Sequence, residues 1–174
     1  MLPFLPVAAA FVLVFYGLRP FSRVRNVEKL RPIAESAVSA SGLDVNLILA
    51  VVTKESGGDP SARSSVNALG LMQLRIAAAT DAAARLGIAP PTETDLLDPI
   101  LNLKLGSMYL KILSDRYGGA IDVALAGYLK GPEWVNRVGG IDGVRRILKQ
   151  PGDVATYVNR ILELAEKLKA RKNA

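Results

Sequence analysis

The chain has 174 residues, 50% of them apolar and 22% charged, with a formal net charge of +6. This suits one globular domain that buries about two-thirds of its unfolded surface, and it excludes a disordered chain. Cysteine and histidine are both absent, which excludes disulfides, thiol nucleophiles, Ser-His-Asp triads and Cys/His zinc sites, and leaves acid–base chemistry to Asp, Glu, Lys or Tyr.

Residues 1–18 carry no charged side chain. As a helix they would span about 27 Å, near the lower limit for crossing a bilayer core. No basic residue precedes them and no small-residue cleavage site follows, so a transmembrane anchor or signal-anchor is expected; a cleaved signal and a buried core helix are the alternatives. A basic linker over 19–31 comes next. Residues 1–31 hold Arg19, Arg23, Arg25, Lys29 and Arg31 against Glu28, a balance of +4, and residues 163–174 carry +2. The stretch 32–162 between them has 13 basic and 13 acidic residues. A neutral body argues against nucleic acid as a partner, while basic ends suit a membrane surface or an acidic wall.

The body, 32–174, reads as helix after helix with no sustained two-residue alternation, so the class is all-α. A first amphipathic helix is expected over about 27–40. The next, over 44–55, has an acidic N-cap in Asp44 and stops at Gly57-Gly58. A Gly/Ser/Asn/Pro-rich loop over 56–67 follows, then an alanine-rich helix over 76–86 closed by Gly87. Asp98-Pro99 opens a long helix running to about Tyr117. A short apolar helix over 121–129, two short helices over 132–150 broken at Gly139-Gly140, and a last helix over 153–172 complete the chain.

Glu55 stands out among the carboxylates. It lies four residues after Val51 and seven after Ile48, on the apolar stripe of its helix. It also ends that helix, where the macrodipole disfavours negative charge. Desolvation and the dipole both raise a carboxylate's pKa, the condition for a general acid in glycosidic cleavage. On periodicity alone the ordinary reading is an exposed helix-end glutamate. The Ser-Gly-Gly-Asp-Pro turn after it favours the rim of a cleft.

From Glu55 onward the sequence resembles the catalytic region of soluble-type lytic transglycosylases, relatives of goose-type lysozyme. The residues that carry the resemblance are Glu55-Ser56-Gly57-Gly58-Asp59-Pro60, Ser64, Gly70-Leu71-Met72-Gln73-Leu74, Asp98-Pro99 with Asn102, Gly106 and Tyr109-Leu110, then Ala126-Gly127-Tyr128 and Thr156-Tyr157-Val158. The resemblance implies a lysozyme-like helical domain behind the N-terminal anchor, with Glu55 as the single catalytic acid/base. It places Ser64 in a loop facing Glu55, where it would help position the carboxyl group or the substrate. Met72 and Gln73 would line the sugar cleft, and the hydroxyls of Tyr128 and Tyr157 would orient the carboxyl group. For Met72 and the tyrosines, core packing is the competing role. The family's asparagine after the tyrosine is Leu129 here, and its following alanine is Lys130.

The implied reaction cleaves the bond between N-acetylmuramic acid and N-acetylglucosamine in peptidoglycan, leaving a 1,6-anhydromuramyl end. No metal or cofactor is needed. Rival readings are a hydrolytic muramidase on the same fold, a non-catalytic membrane-anchored scaffold that binds glycan, and a surface binder using the basic ends. The implied partners are peptidoglycan strands and the membrane, with a secretion, pilus or virion assembly as a host for local wall opening. The catalytic domain should face the periplasm or cell wall, although the arginines after the apolar segment would by the positive-inside rule hold it in the cytoplasm.

Overall fold

The computed structural model describes residues 27–172, which form helices and loops apart from two isolated β-bridges, Arg63 to Leu69 and Leu69 to Leu74. The helices are α1 (Arg31–Ala37), α2 (Val45–Glu55), α3 (Ile76–Leu86), α4 (Pro99–Arg116), α5 (Ile121–Lys130), α6 (Pro132–Arg137), α7 (Gly140–Leu148) and α8 (Asp153–Lys172), with 3-10 turns at Ser39–Ser41 and Asp95–Leu97. The all-α class holds, as does the division of 132–150 into two short helices.

The rest of the fold is assembled around α2. The Asp44 carboxylate starts it by accepting from the Asn46 backbone N–H at 2.8 Å, satisfying one of the free donors of the first turn. Every residue from Asn46 to Thr53 is buried, so this helix is enclosed on all sides rather than amphipathic. It packs most extensively against α8, which supplies the buried stripe Val154, Val158, Ile161, Leu164 and Leu168. Each fully buried Leu, Ile or Val contributes about 1.5–3 kcal/mol. This packing fixes the end of α2, where Glu55 sits, against the first turns of α8, where Tyr157 sits.

Helix α4 begins as its Asp98-Pro99 start predicts, the Asp98 carboxylate accepting from Leu101 N–H at 2.7 Å. Its Gly106 makes room for Met72: a Cβ at that position would fall 2.4 Å from the Met72 sulfur and 2.9 Å from its Cβ. Gly106→Ala is expected to lower stability by about 1–3 kcal/mol through overpacking. The check is a fall in the denaturant midpoint at unchanged m-value.

Two expectations at the N-terminus change. The helix expected over 27–40 divides into α1 and the 3-10 turn, and the folded body reaches back into the segment expected to be linker. Val27 is fully buried, and the Arg31 guanidinium holds Glu28 at 2.7 and 2.8 Å and the Asn46 side-chain oxygen at 3.0 Å. The cause is apolar spacing, since Val27 and Leu30 pack beneath the turn at Gly58. The expected anchor at 1–18 lies outside the described residues. Among those described, no helix is long and apolar enough to cross a membrane.

Candidate active site

Glu55 is the last residue of α2. It is half-buried by its residue surface, yet its carboxyl group is closely enclosed by neighbouring atoms. Burial pushes its pKa up from 4.5 to about 7, against the opposing effects of a hydrogen bond from Tyr157 and the Lys54 charge. The helix C-terminus acts in the same direction as burial. No carboxylate contributes to the shift, so desolvation, not like-charge crowding, keeps the proton on Glu55.

The Tyr157 hydroxyl donates to Glu55 Oε1. Tyr157 itself is only 5% exposed, and burial together with the Glu55 charge holds its own pKa well above the usual phenol value, so it stays a donor. The Lys54 ammonium lies 5.8 Å from the centre of the Tyr157 ring. Tyr157→Phe keeps the enclosure and removes the donor that favours the carboxylate. The Glu55 pKa should therefore rise, moving the alkaline limb of the pH–activity profile to higher pH; a limb that stays in place would contradict this coupling.

The loop between α2 and α3 forms the other wall. Ser56 Oγ donates to the Leu71 carbonyl at 2.8 Å and accepts from Gly58 N–H at 3.1 Å, tying the turn after Glu55 to the segment Gly70-Leu71-Met72. The Tyr128 hydroxyl donates to the Met72 carbonyl at 2.8 Å. Its ring meets Tyr109 at 5.7 Å between centroids. Burial raises the Tyr128 pKa and the Glu55 charge adds to the rise, which places this hydroxyl within the electrostatic reach of the carboxyl group. Beneath the loop, fully buried Asn102 accepts from Met72 N–H at 2.8 Å and donates to the carbonyls of Leu69 at 2.9 Å and Leu96 at 2.7 Å.

An all-helical chain with a proton-holding glutamate at a helix end, faced by tyrosines from two other helices, can be compared with known proteins. The transglycosylase SLT domain family matches residues 32–150. The chain belongs to that family. Over 94 residues it is 40% identical to the endo-type membrane-bound lytic murein transglycosylase A of Salmonella typhimurium, covering 53% of this chain and 46% of the relative. The Salmonella enteritidis protein of that name gives the same figures. The chain thus spans about half the length of the curated relatives it matches. Among solved structures, an inactive mutant of lytic transglycosylase Slt from Pseudomonas aeruginosa superposes with a TM-score of 0.70 at 27% identity, over 80% of this chain and 24% of that one. The 70-kDa soluble lytic transglycosylase of Escherichia coli gives 0.64 at 23% identity, over 77% and 23%, a likeness of fold. The lysozyme-like transglycosylase fold is therefore that of this SLT domain.

Within this SLT domain the expected site residues fall into two groups. Glu55 and Tyr157 are in direct contact, and Tyr128 is close by but bonded to the Met72 carbonyl rather than to the carboxyl group. Met72, Gln73 and Ser64 serve the loop. The Met72 side chain is fully buried against Gly106, the core-packing role, and its carbonyl accepts from the Tyr128 hydroxyl. Gln73 adopts a left-handed backbone, φ 48°, and its amide nitrogen donates to the carbonyls of Ala62 and Gly70 at 3.1 and 3.0 Å. Ser64 Oγ accepts from Ala68 N–H at 2.9 Å and Val66 N–H at 3.3 Å; it closes the loop and makes no bond to Glu55. Leu129 packs partly buried against the core. Sequence reasoning assigned no role to Ser56, Lys54 or Asn102. For Asn102 a signal existed, a lone amide between Leu101 and Leu103 on a helix otherwise rich in leucine.

Proposed function

We propose that this chain is a peptidoglycan lytic transglycosylase with Glu55 as its only catalytic acid/base. The observation that carries the reading is a glutamate with a pKa of about 7, raised by burial and held by Tyr157. With its proton on, Glu55 protonates the oxygen linking N-acetylmuramic acid to N-acetylglucosamine, and the glycosidic C–O bond breaks as charge develops at the muramyl C1. The muramyl N-acetyl group stabilises that centre. The Glu55 carboxylate then accepts the proton of the C6 hydroxyl as its oxygen bonds to C1, so Glu55 ends protonated and no water is consumed. Nucleophile and electrophile share one sugar, which supplies much of the rate through proximity.

Glycosidases that use two carboxylates place them about 5–9.5 Å apart. Every Asp and Glu of this chain lies between Glu28 and Glu166, within the described residues, and none perturbs Glu55. That favours the anhydro product over hydrolysis. Incubating the chain with purified peptidoglycan, beside Glu55→Gln, should release muropeptides one water lighter than hydrolysed ones by mass spectrometry, and only from the unaltered chain. Hydrated products would make it a muramidase; no release from a folded chain would make it a scaffold.

The relatives' name, membrane-bound, supports a role for residues 1–18 as an anchor, with 19–26 as the tether and the catalytic domain beginning inside the expected linker at Val27. The domain then acts on the wall from the periplasmic side. Targeting by the anchor, or by a larger secretion, pilus or virion assembly, fits this placement.

A further inference from the structure

A groove of about 770 Å³ opens between the end of α5, α6, α7 and the start of α8. Its lining includes Lys130, Arg146 and Lys149, with Trp134 and Val154 as apolar surface and Asp153 as the one acid. Three cations against one carboxylate leave a local charge of +2 in a body whose charges sum to zero. None of the three is in an ion pair among the described residues, whereas the adjacent Arg145 is bound to Asp122 at 3.1 Å. The groove also shares its helices with the site. Val154 precedes Tyr157 by three on α8, on the same helical face, so the groove's apolar side lies one turn from the tyrosine that bonds Glu55, and Lys130 ends the helix that carries Tyr128.

From this juxtaposition we infer that the groove binds the carboxylate-bearing peptide carried by the muramyl sugar, with Lys130, Arg146 and Lys149 selecting free carboxylates over amidated ones. The inference rests on the proposed reaction, since that reaction brings the peptide-substituted sugar to Glu55. Charge complementarity supplies the discrimination. A free carboxylate gains a charge-assisted hydrogen bond that an amide does not. The apolar floor of Trp134 and Val154 takes the aliphatic part of the peptide. Lys130 stands where the resembled family has alanine, so this selection belongs to this chain's own residues.

The test compares one peptidoglycan preparation in two states, with carboxylates free or amidated by carbodiimide coupling, using the full-length chain and its Lys130→Gln/Arg146→Gln/Lys149→Gln variant. Three exposed charge pairs predict a KM about tenfold lower for the free form, with kcat little changed, for the unaltered chain. The triple variant should lose that preference, and Arg145→Gln should keep it. High salt should narrow the gap. Equal KM values for the two substrates, or a preference that survives in the triple variant, would overturn the inference. If neither substrate is turned over, the reaction itself is refuted. Calorimetric titration of Glu55→Gln with soluble muropeptides, free and amidated, then decides the groove separately: tighter binding of the free form supports it and equal binding sinks it.

Discussion

Glu55→Gln is expected to abolish peptidoglycan cleavage while making the folded chain more stable at alkaline pH. Removing a general acid–base group costs about 10²–10⁴-fold in rate, and here one residue performs both proton transfers. The stability effect follows from the same burial. In the unfolded chain Glu55 releases its proton near 4.5; in the folded chain it holds it until about 7. Its favourable contribution is therefore complete below pH 4.5 and is lost as pH rises through 7. A neutral amide does not suffer that loss, so at pH 8 the variant should be more stable by about 2–3 kcal/mol, and the two chains should converge below pH 4.5. Equilibrium unfolding across pH checks this. A variant no more stable than the unaltered chain at pH 8 would mean that the carboxylate is solvated, and the proposed acid would lose its physical basis.

Asn102→Leu should have the largest effect on stability of any single change in the site's support. The substitution is similar in volume, but it removes three buried hydrogen bonds; the Leu69 carbonyl keeps its bond from Leu74 N–H at 2.9 Å, while Met72 N–H and the Leu96 carbonyl are left to find partners in an enclosed space. At about 1–3 kcal/mol for each of the two unsatisfied groups, the cost is roughly 2–6 kcal/mol. Asn102→Asp separates acceptor from donor: it can still accept from Met72 N–H but opposes two carbonyls, so it too should destabilise. Thermal unfolding of both variants measures this. The close approach at Gly70 rests on the same amide, since a Cβ there would lie 2.4 Å from Asn102 Nδ2 and 2.3 Å from the Leu96 carbonyl.

The helices and Glu55 were legible in the sequence because their signals are local. Asp44 and Asp98 mark starts, Gly57-Gly58 and Gly87 mark ends, and the position of Glu55 on an apolar stripe follows from counting residues. The meeting of Glu55 with Tyr157 was legible only through the resemblance, since 102 residues separate them and no periodicity connects the two. The loop's internal bonding was not legible, for a physical reason. Met72, Gln73 and Ser64 are of the types that line sugar clefts, but an irregular loop must satisfy its own backbone groups. Gln73 and Ser64 do that for the carbonyls of Ala62 and Gly70 and the N–H groups of Val66 and Ala68, and Met72 fills the space that Gly106 leaves. The burial of Val27 escaped notice because five basic residues in 19–31 disguise a short apolar pair.

The central claim is that one enclosed glutamate cleaves the glycosidic bond with no added water. Its most direct test is digestion of peptidoglycan in water enriched in oxygen-18, with mass spectrometry of the muramyl ends. The account predicts 1,6-anhydromuramyl ends with no label. Labelled, hydrated ends from the unaltered chain would contradict it.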